Sequence, residues 1–298
     1  MSVTVVGSVA LDTVETPWGK NEEGLGGSAT YFALAAANYA PVNLVGVVGD
    51  DFPEEHVRLL EEKGVDLAGL ERAPGRTFRW SGRYHADVNT RDTLDTQLNV
   101  FEHFHPKLPA RIRSADYLFL GNIHPSLQIE VLDDAEAQFV ALDTMNLWID
   151  TVLDEVKEVL SRVDAIIVND SEAKQLTGEN NLVKGALAVK QFGPRIVVVK
   201  KGEHGCLLFT DNDMFSAPAY PLENVTDPTG AGDTFAGGFM GHIARQASTD
   251  PATLRQAVVH GTVVASFTCE AFGPDALTQI GPDDIATRYE AIQKLTAF

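Results

Sequence analysis

Short apolar runs recur along the chain at residues 3–6, 42–48, 117–120, 139–142, 165–168 and 196–199, each followed by polar or small residues. Apolar runs of this kind suit strands buried on both faces. Between them, stretches 28–39, 54–63, 127–135, 151–160 and 182–190 read as helices, and Gly64 stands where a helix-ending glycine belongs. This alternation predicts an α/β fold with a mostly parallel central sheet and helices on both faces. Residues 197–205 turn back toward 206–209, an expected antiparallel hairpin at the sheet edge. The last third, at 234–247, 253–267 and 283–295, reads as helical. One region breaks the pattern: residues 76–87 alternate aromatic and polar positions (Phe78, Trp80, Tyr84), and 96–101 do so more weakly. With 10–16 these predict a small sheet projecting over the main one. No linker or internal repeat divides the chain, so residues 1–298 are expected to form one domain.

Composition narrows the setting without choosing a function. The 298 residues, 44% hydrophobic and 22% charged, are enough for a large core and match globular proteins that live in water. A net charge of −19, from 42 acids against 23 lysines and arginines, argues against nucleic acid or an anionic membrane as partner, since both are held by basic patches. No apolar stretch approaches the roughly 18 residues of a membrane span, and the N-terminus reads as a first strand rather than a signal peptide. Two cysteines, Cys206 and Cys269, indicate no disulfide framework, and a cytoplasmic location is expected. The excess of acid is also compatible with a salt-adapted source.

The candidate chemistry lies in Asp227-Pro228-Thr229-Gly230-Ala231-Gly232-Asp233, which runs into an apolar helical stretch. The first turn of a helix has N–H groups without partners and a partly positive end. Gly230, Ala231 and Gly232 carry almost no side chain, so an anion can rest on those amides. Asp233 beside bound phosphate is unfavourable unless it accepts a proton from an alcohol that attacks phosphorus. The plain alternative is a capping aspartate after an ordinary glycine turn.

This segment resembles the C-terminal signature, D-T-x-G-A-G-D, of the ribokinase-like (PfkB) family of carbohydrate and nucleoside kinases, with Pro228 where threonine is commoner. Three further segments match in order: Gly26-Gly27-Ser28-Ala29, Gly49-Asp50-Asp51-Phe52 and Asn169-Asp170-Ser171-Glu172. The resemblance spans residue 5 to about 273. It implies a ribokinase-like fold whose small sheet, about 10–17 and 76–101, is a lid that excludes water from the site. It also implies ATP and magnesium as cofactors.

The resemblance places Asp233 as general base and the amides of Gly230, Ala231 and Gly232 as an anion hole. It places Asp12 under two hydroxyls of the acceptor, with Gly26 and Gly27 letting the ring approach. Tyr31 stands where relatives often carry asparagine, which points to a different or larger acceptor than ribose. Glu172, with Asn169, would hold magnesium through water; the same pair is also a helix-capping pattern. Lys200, Gly202 and Gly205 would line the adenosine half of the nucleotide, with His260 near the adenine. Asp227 and Thr229, with 271–274, resemble a monovalent-cation site, which implies potassium. Pairing of two copies through the lid is a further expectation. His103 and His105 have no third ligand close in sequence and read as loop residues.

No G-x-x-x-x-G-K-[ST] loop and no H-R-D or D-F-G set is present, which excludes P-loop and protein kinases. A dehydrogenase would need G-x-G-x-x-G after the first strand, where only Gly7 stands. The expected activity is transfer of the γ-phosphoryl group of ATP to a hydroxymethyl group. A free sugar is placed narrowly ahead of a nucleoside, whose base Phe78, Trp80 and Tyr84 would stack on. A non-catalytic sugar or nucleotide sensor on the same fold is the remaining alternative.

Overall fold

The computed structural model describes residues 1–297. Thirteen strands form two sheets: β1 (Val3–Val6), β2 (Ala10–Thr16), β3 (Gly19–Gly26), β4 (Val42–Gly49), β5 (Val65–Ala73), β6 (Phe78–Tyr84), β7 (Arg91–Gln97), β8 (Ser114–Leu120), β9 (Glu136–Asp143), β10 (Ala165–Asn169), β11 (Ile196–Lys200), β12 (Cys206–Phe209) and β13 (Met214–Ala217). The large sheet has the order β13-β12-β11-β10-β9-β8-β1-β4-β5 and is parallel except at β12 and β13. The result is a mostly parallel sheet covered by helices, with a second small sheet.

The apolar runs behave as expected of strands covered on both sides. Along β1 and β8, Val5 and Phe119 enter one core while Val6, Leu118 and Leu120 enter the other. On the first face, helices Ser28–Ala36, Ala231–Gln246 and Pro251–Thr268 pack around Phe32, which stacks on Phe119 with centroids 4.4 Å apart. Helix Ala231–Gln246 lies unusually close to its neighbours. A Cβ on Gly237 would stand 2.3 Å from Phe32 O, and one on Gly238 3.0 Å from Gly261 Cα. Truncating a side chain such as Phe239, which is fully buried here, costs about 3–5 kcal/mol in cores of this kind.

The small sheet has the order β3-β2-β6-β7. It is larger than the alternating segments suggested, because β3 is polar on both faces and β7 is exposed throughout. The partner strand of β6 is Arg91–Gln97, and 99–101 instead turn into the short helix Asn99–His103. Edge strands β5 and β13 also escaped the pattern, since both leave much of their length in solvent.

What matters for function is where the strands stop. Asp143 ends β9, Asn169 ends β10 and Lys200 ends β11, and the registers Ile167↔Asp143 and Asn169↔Lys200 place them side by side. Ligands of open α/β sheets bind beyond the carboxyl ends of the strands. The small sheet and the start of helix Ala231–Gln246 meet these ends.

Candidate active site

Gly230 sets the approach to the helix. It adopts φ 75°, and a Cβ there would fall 2.4 Å from the Tyr31 ring, so glycine is required on both counts. Tyr31 is 1% exposed and lies flat beneath this turn, among Asp12, Asp227, Asp233 and Tyr84, which together with burial push its hydroxyl pKa up. Its ring therefore supports the loop. Ala231 N–H donates to Pro228 O at 3.2 Å. The Gly230 and Gly232 N–H groups have no acceptor among the described residues, so two of the three expected anion-hole amides are open. Against Gly232 rests the Lys200 ammonium, 2.7 Å from where a Cβ would be. Lys200, expected from the sequence to line the adenosine half, has its ammonium beside the helix entrance.

Asp233, in the first turn of that helix, meets the carboxyl group of Asp143. Asp143 Oδ1 has no donor partner and Asp143 is buried. Two carboxyl groups in contact without a donor between them require a shared proton. Burial, and then the Asp233 charge, push Asp143 well above the usual carboxylate range, so Asp143 carries that proton. Burial also raises Asp233, but Lys200, the Asp143 hydroxyl and its own N–H oppose the rise. Asp143 was missed in the sequence, where the one available signal was an acid closing the apolar run 139–142.

Asn169 and Glu172 form a complete capping box. Glu172 N–H donates to Asn169 Oδ1 at 2.8 Å, and Asn169 N–H donates to Glu172 Oε2 at 2.8 Å. Ser171 Oγ donates to Asn169 Oδ1 as well, at 2.7 Å. The Asn169 oxygen is therefore committed to the helix start, whereas Glu172 keeps Oε1 free. Burial raises the Glu172 pKa and Lys200 opposes it, so this carboxylate shares the electrostatic environment of Asp233. The free oxygen and the open amides fit a water-held magnesium ion and a phosphate, respectively.

On the acceptor side, Asp12 is 7% exposed and burial pushes its pKa up to about 7, against the Gly27 N–H, which lowers it. A Cβ on Gly26 would lie 2.0 Å from Asp12 Oδ2, and one on Gly27 2.4 Å from Ser8 O. These glycines make room for Asp12 and for the chain itself. Asp227 is fully buried and accepts from Thr229 N–H at 2.9 Å and Gly273 N–H at 3.2 Å, tying loop 226–229 to loop 269–273. Thr229 Oγ1 donates to Tyr84 Oη of the lid at 3.3 Å.

The remaining nucleotide residues divide. Gly202 has φ 54° and lies under the lid: a Cβ there would be 2.8 Å from Asn89 Oδ1, in the turn between β6 and β7. Gly205 has φ 77° and crosses β13 so closely that a Cβ would meet Ala217 O at 2.0 Å. His260 is not brought to these strand ends by any contact of its ring. Its Nδ1 lies 3.1 Å from Tyr39 Oη, and the ring stacks on His242 and Tyr289 at 4.2 and 4.6 Å. Burial, aided by His242, lowers its pKa to about 3. That is the environment of a packed structural histidine.

The arrangement defines a phosphotransferase with an alcohol acceptor. Residues 2–280 match the pfkB family carbohydrate kinase model, and the chain belongs to that family. It is 30% identical over 252 residues to a cytidine kinase of Thermococcus kodakarensis, covering 82% of this chain and 89% of that one. A nucleoside kinase structure from Methanocaldococcus jannaschii superposes with a TM-score of 0.77 at 19% identity, over 97% of this chain and 98% of the other. A putative ribokinase II from E. coli, in complex with ATP and magnesium, gives 0.79 at 18% identity, over 97% and 99%. The protein is thus an ATP-dependent sugar or nucleoside kinase. No helix among the described residues is long and apolar enough to cross a membrane.

Proposed function

We propose that the chain transfers the γ-phosphoryl group of ATP to the hydroxymethyl group of a nucleoside, with Asp233 as general base. The observation that carries this reading is the buried Asp233 carboxyl at the helix entrance, against Asp143 and beside the open Gly230 and Gly232 amides. The acceptor hydroxyl gives its proton to Asp233 as its oxygen bonds to the γ-phosphorus, and the bond from that phosphorus to the β–γ bridging oxygen breaks to release ADP. The Gly230 and Gly232 N–H groups and the Lys200 ammonium take up charge on the phosphoryl oxygens. Bound magnesium supplies further charge neutralisation on the phosphates, and Glu172 is positioned to orient its water shell. Asp12 accepts hydrogen bonds from two ring hydroxyls, one on each oxygen.

The sequence placed a free sugar narrowly ahead. Two observations favour the nucleoside instead: the likeness to a cytidine kinase over most of both chains, and Trp80, which is paired in register with Asp12 on the lid. The loops that Asp227 ties together account for that residue, and the reading assigns potassium no part.

The test is an ADP-release screen over nucleosides, pentoses, hexoses and inositols, repeated with Asp233→Asn. Turnover on nucleosides is expected, with a loss of about 10²–10⁴ in the variant and ATP affinity retained. Near-normal rates in Asp233→Asn would remove it from the base role, and turnover confined to free sugars would return the acceptor to that class.

A further inference from the structure

We infer that Arg91, carried by lid strand β7, closes on the transferring phosphoryl group from the side opposite Lys200. The inference deepens the proposed kinase reading and rests on it. Side chains two apart on a strand share a face, as do residues paired directly across a ladder. Trp80, Gly82 and Tyr84 of β6 therefore share the face on which Asp12 of β2 pairs with Trp80. Strand β7 joins this face through a bulge. Trp80 pairs with Thr96 and Ser81 with Asp95, but the register then shifts, so that Gly82 pairs with Thr93 and Tyr84 with Arg91. Had the first register continued unshifted, Asp92 would stand opposite Tyr84. The bulge thus exchanges an anion for a cation at the one lid position that adjoins the helix entrance, a re-aiming for which bulges are suited.

Three contacts fix where that position lies. Tyr84 Oη accepts from Thr229, next to Gly230, at 3.3 Å. Asn89, two residues before Arg91, rests on Gly202 at the nucleotide loop. The Arg91 guanidinium itself stands 5.1 Å from the Trp80 ring centroid. Its charge is felt by Asp12, Glu172 and Asp233, each of whose pKa values it lowers.

Arg91 also lacks a carboxylate partner among the described residues, in a chain rich in acid. The lid arginines Arg76, Arg79 and Arg83 each hold a carboxylate. Arg91 makes no ion pair among the described residues and is solvent-exposed. An arginine with no carboxylate partner, held beside buried acids only by the Tyr84 hydroxyl and the Trp80 face, is placed to receive an anion that arrives with the nucleotide. Planar guanidinium suits phosphoryl oxygens better than an ammonium does.

The experiment compares wild type with Arg91→Gln and Arg91→Lys, and with Arg83→Gln as a lid control. Calorimetry reads affinity for the β,γ-imido analogue of ATP and for ADP, and steady-state kinetics read kcat and KM. Arg91→Gln is expected to weaken the analogue about tenfold or more while leaving ADP within about twofold. It should lower kcat by about 10²–10³, less than a lone arginine finger because Lys200 and the helix remain. Guanidinium salt should restore part of the rate, Arg91→Lys should fall between, and Arg83→Gln should match wild type. Equal effects on analogue and ADP, or a raised acceptor KM with kcat kept, would overturn the assignment. If wild type turns over no acceptor, the kinase reading fails, and the two affinities still decide whether Arg91 reads the terminal phosphate.

Discussion

Asp12 carries a cost that can be measured as stability. Burial raises its pKa from 3.8 to about 7 in the folded protein. The native state therefore holds a proton that the unfolded chain releases, and the stability attached to that proton is lost as pH rises from about 4 to about 7. At about 1.4 kcal/mol per pH unit, the ionised carboxylate destabilises the fold by about 4 kcal/mol at pH 8.5, and by about 1–2 kcal/mol at pH 5. Asp12→Asn keeps an oxygen for the Gly27 N–H and removes the charge. The variant should melt about 5–10 °C above wild type at pH 8.5, with a much smaller gain at pH 5 and almost no acceptor turnover. Differential scanning calorimetry at both pH values is the assay. A gain that is the same at each pH, or a variant less stable at pH 8.5, would refute the argument that a buried charge is being carried for binding.

Two further outcomes test the base and the turn beneath it. Asp143→Ala removes the donor that steadies Asp233, so the acidic limb of kcat/KM should move to higher pH; Asp143→Asn, which keeps a donor, should leave it near the wild-type position. A profile identical to wild type in both variants would mean the pair shares no proton. Gly230→Ala must place a Cβ 2.4 Å from the Tyr31 ring at φ 75°, and should cost about 2–4 kcal/mol in denaturant unfolding.

The strands that carry the site were legible because parallel strands buried on both faces are written as uninterrupted apolar runs, as at 139–142 and 165–168. The helix entrance was legible for a local reason: Gly230 and Gly232 announce backbone exposure within seven residues. Lid strand β7 was not legible, because an exposed edge strand with a bulge has neither apolar alternation nor a fixed register. The proton-sharing pair was hidden differently. Asp143 and Asp233 are far apart in sequence, and only the termination of β9 beside helix Ala231–Gln246 brings them together. His260 is a residue whose packing, stacked on His242 and Tyr289, has no local signal in the sequence.

The β6–β7 hairpin has one consequence for how the protein meets its two substrates. Strand β6 is zipped along its length to the strand of Asp12, and the hairpin turn lies on Gly202, so one hairpin touches both regions. On the proposed kinase reading it would cover both ligands, and any effect of one on the affinity of the other would be returned by the same factor, a thermodynamic coupling between acceptor and nucleotide.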